Sequence, residues 1–210
     1  RLEIISKPGE DFKYDLSFDV VTKAAFSDEV RTHRDGEITM RPLRLRDRGA
    51  WLEVRRRNRE WLTQWEATSP LIEEAQNLPS FAEIVAFHSK EGRAGRSLSL
   101  IIWVDDQLVG QITLGGIAYG AFRGGHIGYW IDEKVANRGI MTRAVRELTR
   151  YGLEELRLHR IEIALRPENA PSKRVAEKAG YLFEGLRPRY LHIDGAWRDH
   201  IVFVKESTKI

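Results

Sequence analysis

Residues 132–142, Asp132-Glu-Lys-Val-Ala-Asn-Arg-Gly-Ile-Met-Thr142, leave an apolar stretch, Ile127-Gly-Tyr-Trp-Ile131, and open a long amphipathic run. A short glycine-containing turn between a strand and a helix start is suited to holding a polyphosphate. The first N–H groups of a helix have no intrahelical partner, and the helix dipole favours an anion beside them. Asn137, Arg138, Gly139, Ile140, Met141 and Thr142 supply such donors, and Arg138 adds a charge-assisted contact. Taken alone, the same turn is also an ordinary N-cap at Asn137 with a permissive glycine after it.

A second polar pair lies at Asn169 and Ser172, three residues apart at the start of a short helical stretch. That spacing suits local capping. Proton-accepting side chains are scattered, with Asp132, Glu133, Glu184, Asp199, His126, His192 and His200 all candidates, and no spacing selects among them. Some chemistries are excluded. No cysteine is present, so neither a Cys acyl-enzyme nor Cys-ligated zinc is available. No His pair has the helical spacing of a zinc site. Gly124-Gly-His-Ile-Gly128 precedes a strand and lacks the spacing of a dinucleotide loop, and no phosphate-binding G-x-x-x-x-G-K-[ST] run occurs.

The elements that must position these residues follow from periodicity. Residues 38–42 read as a strand that Pro42 confines to an edge or an end. Asp47 is placed to cap a helix carrying Trp51, Leu52 and Val54. Further helices are expected over about 60–65 and 80–90, the latter with Phe81, Ile84, Val85 and His88 on one face. Residues 98–104 and 108–114 form a hairpin across Asp105-Asp106, and a glycine-rich connection over 115–125 leads to a strand over 126–131. A helix over about 138–156 carries the stripe Ile140, Met141, Ala144, Val145, Leu148 and Tyr151. Residues 160–165 alternate as a half-buried strand, parallel to the one before the helix because a long crossover joins them. A short helix from Asn169 ends at Gly180, and two strands flank Asp194-Gly195. The fold class is therefore α/β (α+β): a mixed sheet of about six or seven strands, one parallel pair, and flanking helices.

A chain of 210 residues with net charge +3 supports one core, read here as a domain over 37–210 behind an N-terminal extension over 1–36. The absence of cysteine fits the reducing cytoplasm. No apolar run is long enough to span a bilayer, and none near Arg1 resembles a secretory signal. The charge is too mild for a dedicated DNA binder. Arginines do cluster at 41, 44, 46, 48, 55, 56, 57 and 59, as a solvated helix face or as a patch for an acidic partner.

This order of elements resembles the GNAT acetyltransferase superfamily over residues 37–205, and within it the RimJ-type branch, which acetylates protein N-termini, ribosomal proteins among them. The likeness is carried by Asn58-Arg-Glu-Trp-Leu-Thr-Gln-Trp-Glu66, by residues 127–131, by Arg138-Gly-Ile-Met141, by Arg166-Pro-Glu-Asn-Ala-Pro-Ser172, by Ala179-Gly-Tyr181, by Phe183-Glu-Gly185 and by residues 194–200. The resemblance implies acetyl-CoA as co-substrate, no metal, and transfer to an amine, chiefly the α-amino group of a protein or peptide. It implies a cytoplasmic monomer or homodimer. The pyrophosphate would lie on residues 137–142 and the pantetheine arm in a gap beside Trp130, Ile131 and Asp132. A β-bulge near Trp130 or Ile131 would free an N–H for the oxyanion. Asn169 would bind pantetheine, and Ser172 would donate to the departing sulfur in place of the tyrosine usual in the superfamily. Trp65, Glu66, Tyr129 and Glu184 would line the acceptor side, although Tyr129 and Trp130 also fit as packing aromatics. The superfamily's glycine-rich turn is altered, with Ala136 and Met141 at two of its usual positions. A small-molecule amine acetyltransferase for an antibiotic or polyamine, and a non-catalytic ribosome-associated module, stand as alternative readings.

Overall fold

Two tight hairpins set the sheet. Asp105 and Asp106 take φ of 48° and 60°, and Asp194 and Gly195 take 47° and 74°. Both central residues of each turn are therefore left-handed, the geometry whose twist matches the flanking strands. The computed structural model describes residues 38–209, so the expected extension over 1–36 lies outside the described residues. The strands are β1 (Ile38–Arg41), β2 (Leu98–Val104), β3 (Gln107–Ala118), β4 (Gly124–Ile131), β5 (Arg160–Leu165), β6 (Leu182–Ile193) and β7 (Ala196–Glu206). They form one seven-stranded sheet in the order β1-β2-β3-β4-β5-β7-β6. All pairs are antiparallel except β4 with β5, as expected from the long crossover between them.

The helices are α1 (Arg48–Arg57), α2 (Arg59–Thr63), α3 (Ile72–Gln76), α4 (Phe81–Arg93), α5 (Ile140–Glu154) and α6 (Ala170–Lys178). A capping box between Ser80 and Glu83 starts α4. The α5 stripe is buried as read, with Ile140, Met141, Ala144, Val145, Leu148 and Tyr151 all at most 4% exposed. Each large side chain among them contributes about 1.5–3 kcal/mol of burial. This stripe and α6 cover one sheet face, while α1 and α4 cover the other through Val54, Phe81, Ile101 and Leu108.

Several expectations need correction. Asp47 occupies the N-cap position of α1 without capping it. Its carboxylate instead takes two 2.8 Å bonds from Arg41 and one from the Arg44 N–H. The glycine-rich connection over 115–125 is mostly strand, because the β3–β4 ladder resumes at Ala118 and Gly124 after an irregularity. The short helix α3 was not anticipated from the sequence, since its five residues are too few for a period to emerge. Helix α5 starts at Ile140 rather than Arg138, because Asn137 and Gly139 sit at φ of 64° and 76° and break the helical path.

Candidate functional site

The parallel pair is short. Gly124, Gly125 and His126 pair with Arg160, Ile161 and Glu162, and no pairing follows beyond them. From there β4 and β5 diverge, leaving a gap at their C-terminal ends. Alternation along β4 gives this gap two different sides. Ile127, Tyr129 and Ile131 turn towards the α5/α6 cluster, whereas Trp130 joins the α1/α4 cluster.

On the first side the N-terminus of α5 is open. No side chain caps it, and no acidic residue lies in its first turn. The first bond back to the cap is from Arg143 N–H to Gly139 C=O, at 3.0 Å. The N–H groups of Ile140, Met141 and Thr142 precede that bond and remain as donors. A Cβ built on Gly139 would meet nothing within 4 Å, so the space in front of the turn is clear. Arg138 is exposed beside it. An anionic diphosphate fits these donors. Asn169 caps α6, accepting from Ser172 N–H at 3.0 Å. The Ser172 hydroxyl lies 2.8 Å from the Tyr129 hydroxyl. Burial, partly offset by the Ser172 hydrogen bond, pushes the Tyr129 phenol up to about 12, so it remains a donor at neutral pH. Tyr129 therefore stands with Ser172 and not purely on the acceptor wall. Sequence reasoning missed this pairing, which depends on the Tyr129 side chain reaching the first turn of α6.

On the other side lies a pocket of about 240 Å³ lined by Glu66, Gln111, Thr113, His126, Gly128, Tyr129 and Trp130. Two of its lining residues are linked through Ser99, to which Gln111 donates at 3.0 Å and which meets Thr113 at 2.9 Å. Glu66 accepts both bonds of the Arg55 guanidinium, one of them at 2.8 Å. That guanidinium lies 5.2 Å from the Trp130 ring centroid and 5.8 Å from that of Trp51. Trp65 lies outside the pocket lining, under the guanidinium of Arg166 at 5.5 Å. No spacing in the sequence singles out Arg55 from its arginine-rich neighbours.

The oxyanion expectation changes in mechanism. The β3–β4 register is regular from Gly110/Ile131 to Gly115/His126, so β4 has no bulge at Trp130 or Ile131. Asp132 N–H donates to Val109 C=O at 2.7 Å. Alternation along an antiparallel pair then turns the Trp130 main chain towards Gln111 and the Tyr129 and Ile131 amides towards the gap. Ile131 C=O is indeed free of β3 and accepts from Trp61 Nε1 at 3.2 Å. The available donors thus come from splaying, and Trp130 contributes its ring.

Most of the candidate proton acceptors are already committed. Asp132 is 2% exposed and accepts from Arg57 at 2.5 and 3.0 Å and from Asn58 at 2.9 Å. Burial raises its carboxyl, but the Arg57 and Asn58 donors and the Lys134 N–H outweigh that and hold it below its ordinary value. Asn58 also accepts from Glu133 N–H and donates to Val54 C=O. Asp132 is therefore a buried joint between α1 and the end of β4, contrary to its expected place among cofactor contacts. Glu184 accepts from Arg160 at 2.6 Å, at the paired start of β5 and away from the gap, so it does not line the acceptor side. Asp199 accepts from Arg189 N–H, and His192 lies 2.8 Å from the Thr68 hydroxyl. His200 is 2% exposed and donates from Nδ1 to Arg198 C=O. Glu133 is exposed on the turn after β4. His126 alone among the seven projects into the pocket.

Comparison with known proteins agrees with this geometry. A profile described as the acetyltransferase (GNAT) domain matches residues 37–182. A probable N-acetyltransferase of Bacillus subtilis, YjcK, is 45% identical over 98 residues, covering 47% of this chain and 54% of that protein. The ribosomal protein uS5-alanine N-acetyltransferase of Escherichia coli is 31% identical over 163 residues, covering 74% of this chain and 81% of that protein. The structure of Mycobacterium smegmatis RimJ in complex with CoA-disulfide superposes with a TM-score of 0.77 at 36% identity, covering 83% of this chain and 84% of that one.

Proposed function

The chain belongs to the GNAT acetyltransferase family, and from that premise we propose that it moves an acetyl group from acetyl-CoA to the α-amino group of a protein, with ribosomal proteins as the acceptor class. The observation that carries this reading is the divergence of β4 from β5 beyond His126 and Glu162. It joins an open helix N-terminus on one sheet face to a pocket on the other that Glu66, Gln111, Thr113 and His126 line beside the Trp130 ring.

Acetyl-CoA supplies an activated acyl group as a thioester. The chain's own residues do the rest. Main-chain N–H groups at residues 140–142, with Arg138 beside them, hold the diphosphate. Asn169 and the gap orient the pantetheine arm. The Tyr129 and Ile131 amides face the gap, where an oxyanion develops as the amine attacks. Ser172 with Tyr129 hydrogen-bonds the leaving sulfur. The name of the Escherichia coli relative supports a ribosomal protein as acceptor, and the CoA held by the mycobacterial structure supports a CoA thioester as donor. The pocket supports a peptide over a polycationic small molecule, since the Glu66 carboxylate is matched by Arg55 and leaves no strongly acidic wall.

The test is incubation of the protein with acetyl-CoA and peptides that vary in their first residue, beside a panel of small amines, read by mass spectrometry. The expected result is a single acetyl group on peptide N-termini. Acetylation of the small amines alone would overturn the acceptor class, and no transfer at all would overturn the activity.

A further inference from the structure

We propose that the His126 imidazole is the group that takes the proton from the acceptor ammonium. The proposal rests on reading the pocket of Glu66, His126 and Trp130 as the acceptor site.

Placement is the first argument. His126, Gly128 and Trp130 alternate onto the same face of β4 and line one pocket. Gly128 between them has no side chain, and a Cβ there would meet nothing within 4 Å. An amine bound for a carbonyl in the gap therefore passes over Gly128, with His126 on one flank, ~6.8 Å along the strand. His126 is the last β4 residue paired with β5, so it stands at the point where the gap opens.

Availability is the second argument. Among the described residues no side chain or main-chain group hydrogen-bonds either ring nitrogen of His126, in contrast to His192 and His200. The ring is positioned by packing. A Cβ on Gly116, at φ 59°, would lie 2.7 Å from its Cε1 and 2.8 Å from its Nδ1, and one on Gly115 would lie 3.4 Å from its Nε2. Bare backbone on that side leaves room for the imidazole and holds it without occupying its lone pair.

The charges facing the ring form two clusters, one on the β5 side and one across the pocket. Glu162, its register partner on β5, is 9% exposed and bridged by Arg160 at 3.0 Å and by Arg187 of β6 at 2.7 Å. Glu66 faces the pocket from the segment after α2, bound by Arg55 of α1. Both carboxylates are thus matched by guanidinium groups, Glu162 by two and Glu66 by one. His126 is an exposed residue, and the part of its ring packed on the β3 backbone is desolvated enough to lower its pKa against the opposing Glu162 charge. The ring is then neutral near pH 7, the state that accepts a proton.

The proton count closes. The ammonium gives one proton to His126, which passes it to solvent. The freed lone pair forms the C–N bond to the thioester carbon. As the C–S bond breaks, the second proton leaves the nitrogen and ends on the CoA sulfur. The products are the amide, CoA thiol and one released proton.

The experiment compares wild type with His126→Gln and His126→Ala, using acetyl-CoA and a peptide beginning with Ala, from about pH 5 to pH 9, a span that brackets the imidazole titration. Calorimetry of acetyl-CoA binding serves as the check on folding. In wild type, kcat/KM should fall on the acid side with an apparent pKa below the ordinary 6.5 of histidine. His126→Gln should lose that limb and drop roughly 100-fold at neutral pH, with acetyl-CoA affinity within about 2-fold. Added imidazole should restore part of the His126→Ala rate. Gly116→Ala, which displaces the ring, should fall between. A His126→Gln enzyme that keeps both the rate and the acid limb would overturn the assignment while leaving the acetyltransferase reading intact. A wild type that acetylates no peptide would instead overturn that reading, and this assignment with it.

Discussion

The two sides of the β4–β5 gap are built in different materials. The side proposed for the donor is chiefly main chain: consecutive amides of α5, the turned amides of Tyr129 and Ile131, and the capped start of α6, with the Ser172 and Tyr129 hydroxyls the main side-chain addition. The side proposed for the acceptor is side chain: Glu66, His126, Gln111, Thr113 and Trp130, with Arg55 behind them, drawn from α1, the segment after α2, β3 and β4. A site made of backbone tolerates changes of side chain. Ala136 and Met141 can replace the usual residues of the glycine-rich turn without removing a single N–H. A site made of side chains changes its selectivity with each substitution. The donor can thus stay constant within a family while acceptors vary.

The sharpest way to break this division is to cut the joint that both sides share. Asp132 follows directly on β4, precedes the turn into α5, and is tied by Arg57 and Asn58 to the α1 end that carries Arg55. Removing one member of a buried, hydrogen-bonded charge network costs about 3–5 kcal/mol. Asp132→Ala should therefore lower the midpoint of urea unfolding and weaken both acetyl-CoA and acceptor binding. The pH dependence has a definite sign. The Asp132 carboxyl is held below its ordinary 3.8 in the folded state. Its contribution is complete above that value and is lost as pH falls through the folded-state pKa. Acid unfolding curves of Asp132→Ala should converge on those of wild type at the acid end. A variant as stable as wild type at neutral pH would show that the two sides are not coupled through this residue.

Gly139→Asp should separate the sides. Its φ of 76° already strains any L-residue, by about 1–2 kcal/mol. The added carboxylate would also face the diphosphate. Acetyl-CoA affinity should fall on the order of 100-fold, while the His126 imidazole titrates by NMR as in wild type. Gly139→Ala should show the strain alone, because its Cβ meets no neighbour. Equal losses from both variants would mean that conformation matters at this turn and charge does not.

How much of this was legible in the sequence follows the same division. The donor side lies in two short contiguous runs, 127–142 and 166–172, so strand, turn, helix and cap could be read in order. The crossover between them made β4 and β5 parallel neighbours, and the aspartate and glycine turns placed the hairpins. The gap itself was expected from family resemblance, and the Tyr129 and Ile131 amides that face it stand where a bulge was expected to free a donor. The acceptor side was legible only in fragments. Nothing local links Glu66 to Arg55 or His126 to Gly116, because these contacts form when separate elements pack. Asp132 misled for the same reason: its neighbours in sequence are the cradle, but its partners in space are Arg57 and Asn58. Glu184 likewise sits in a family-like motif, yet its side chain serves Arg160.

The smallest effect expected lies in the Ser172–Tyr129 pair, and it decides whether the donor side is backbone throughout. Burial keeps the Tyr129 phenol protonated, with its pKa near 12, and its oxygen lies 2.8 Å from Ser172 Oγ and 3.3 Å from Ser172 C=O. Ser172→Ala leaves that carbonyl to accept the phenol, so the loop should stay in place and acetyl-CoA affinity should change little. Loss of one hydrogen bond to a sulfur that gains charge in the transition state should lower turnover ~10-fold. Tyr129→Phe should do the same if the phenol orients the serine, and the double variant should then be no slower than either single one. Additive losses would mean that each hydroxyl reaches the sulfur independently. Unchanged turnover in Ser172→Ala would reduce its hydroxyl to local packing at the start of α6 and leave the main chain as the sole chemical surface on the donor side.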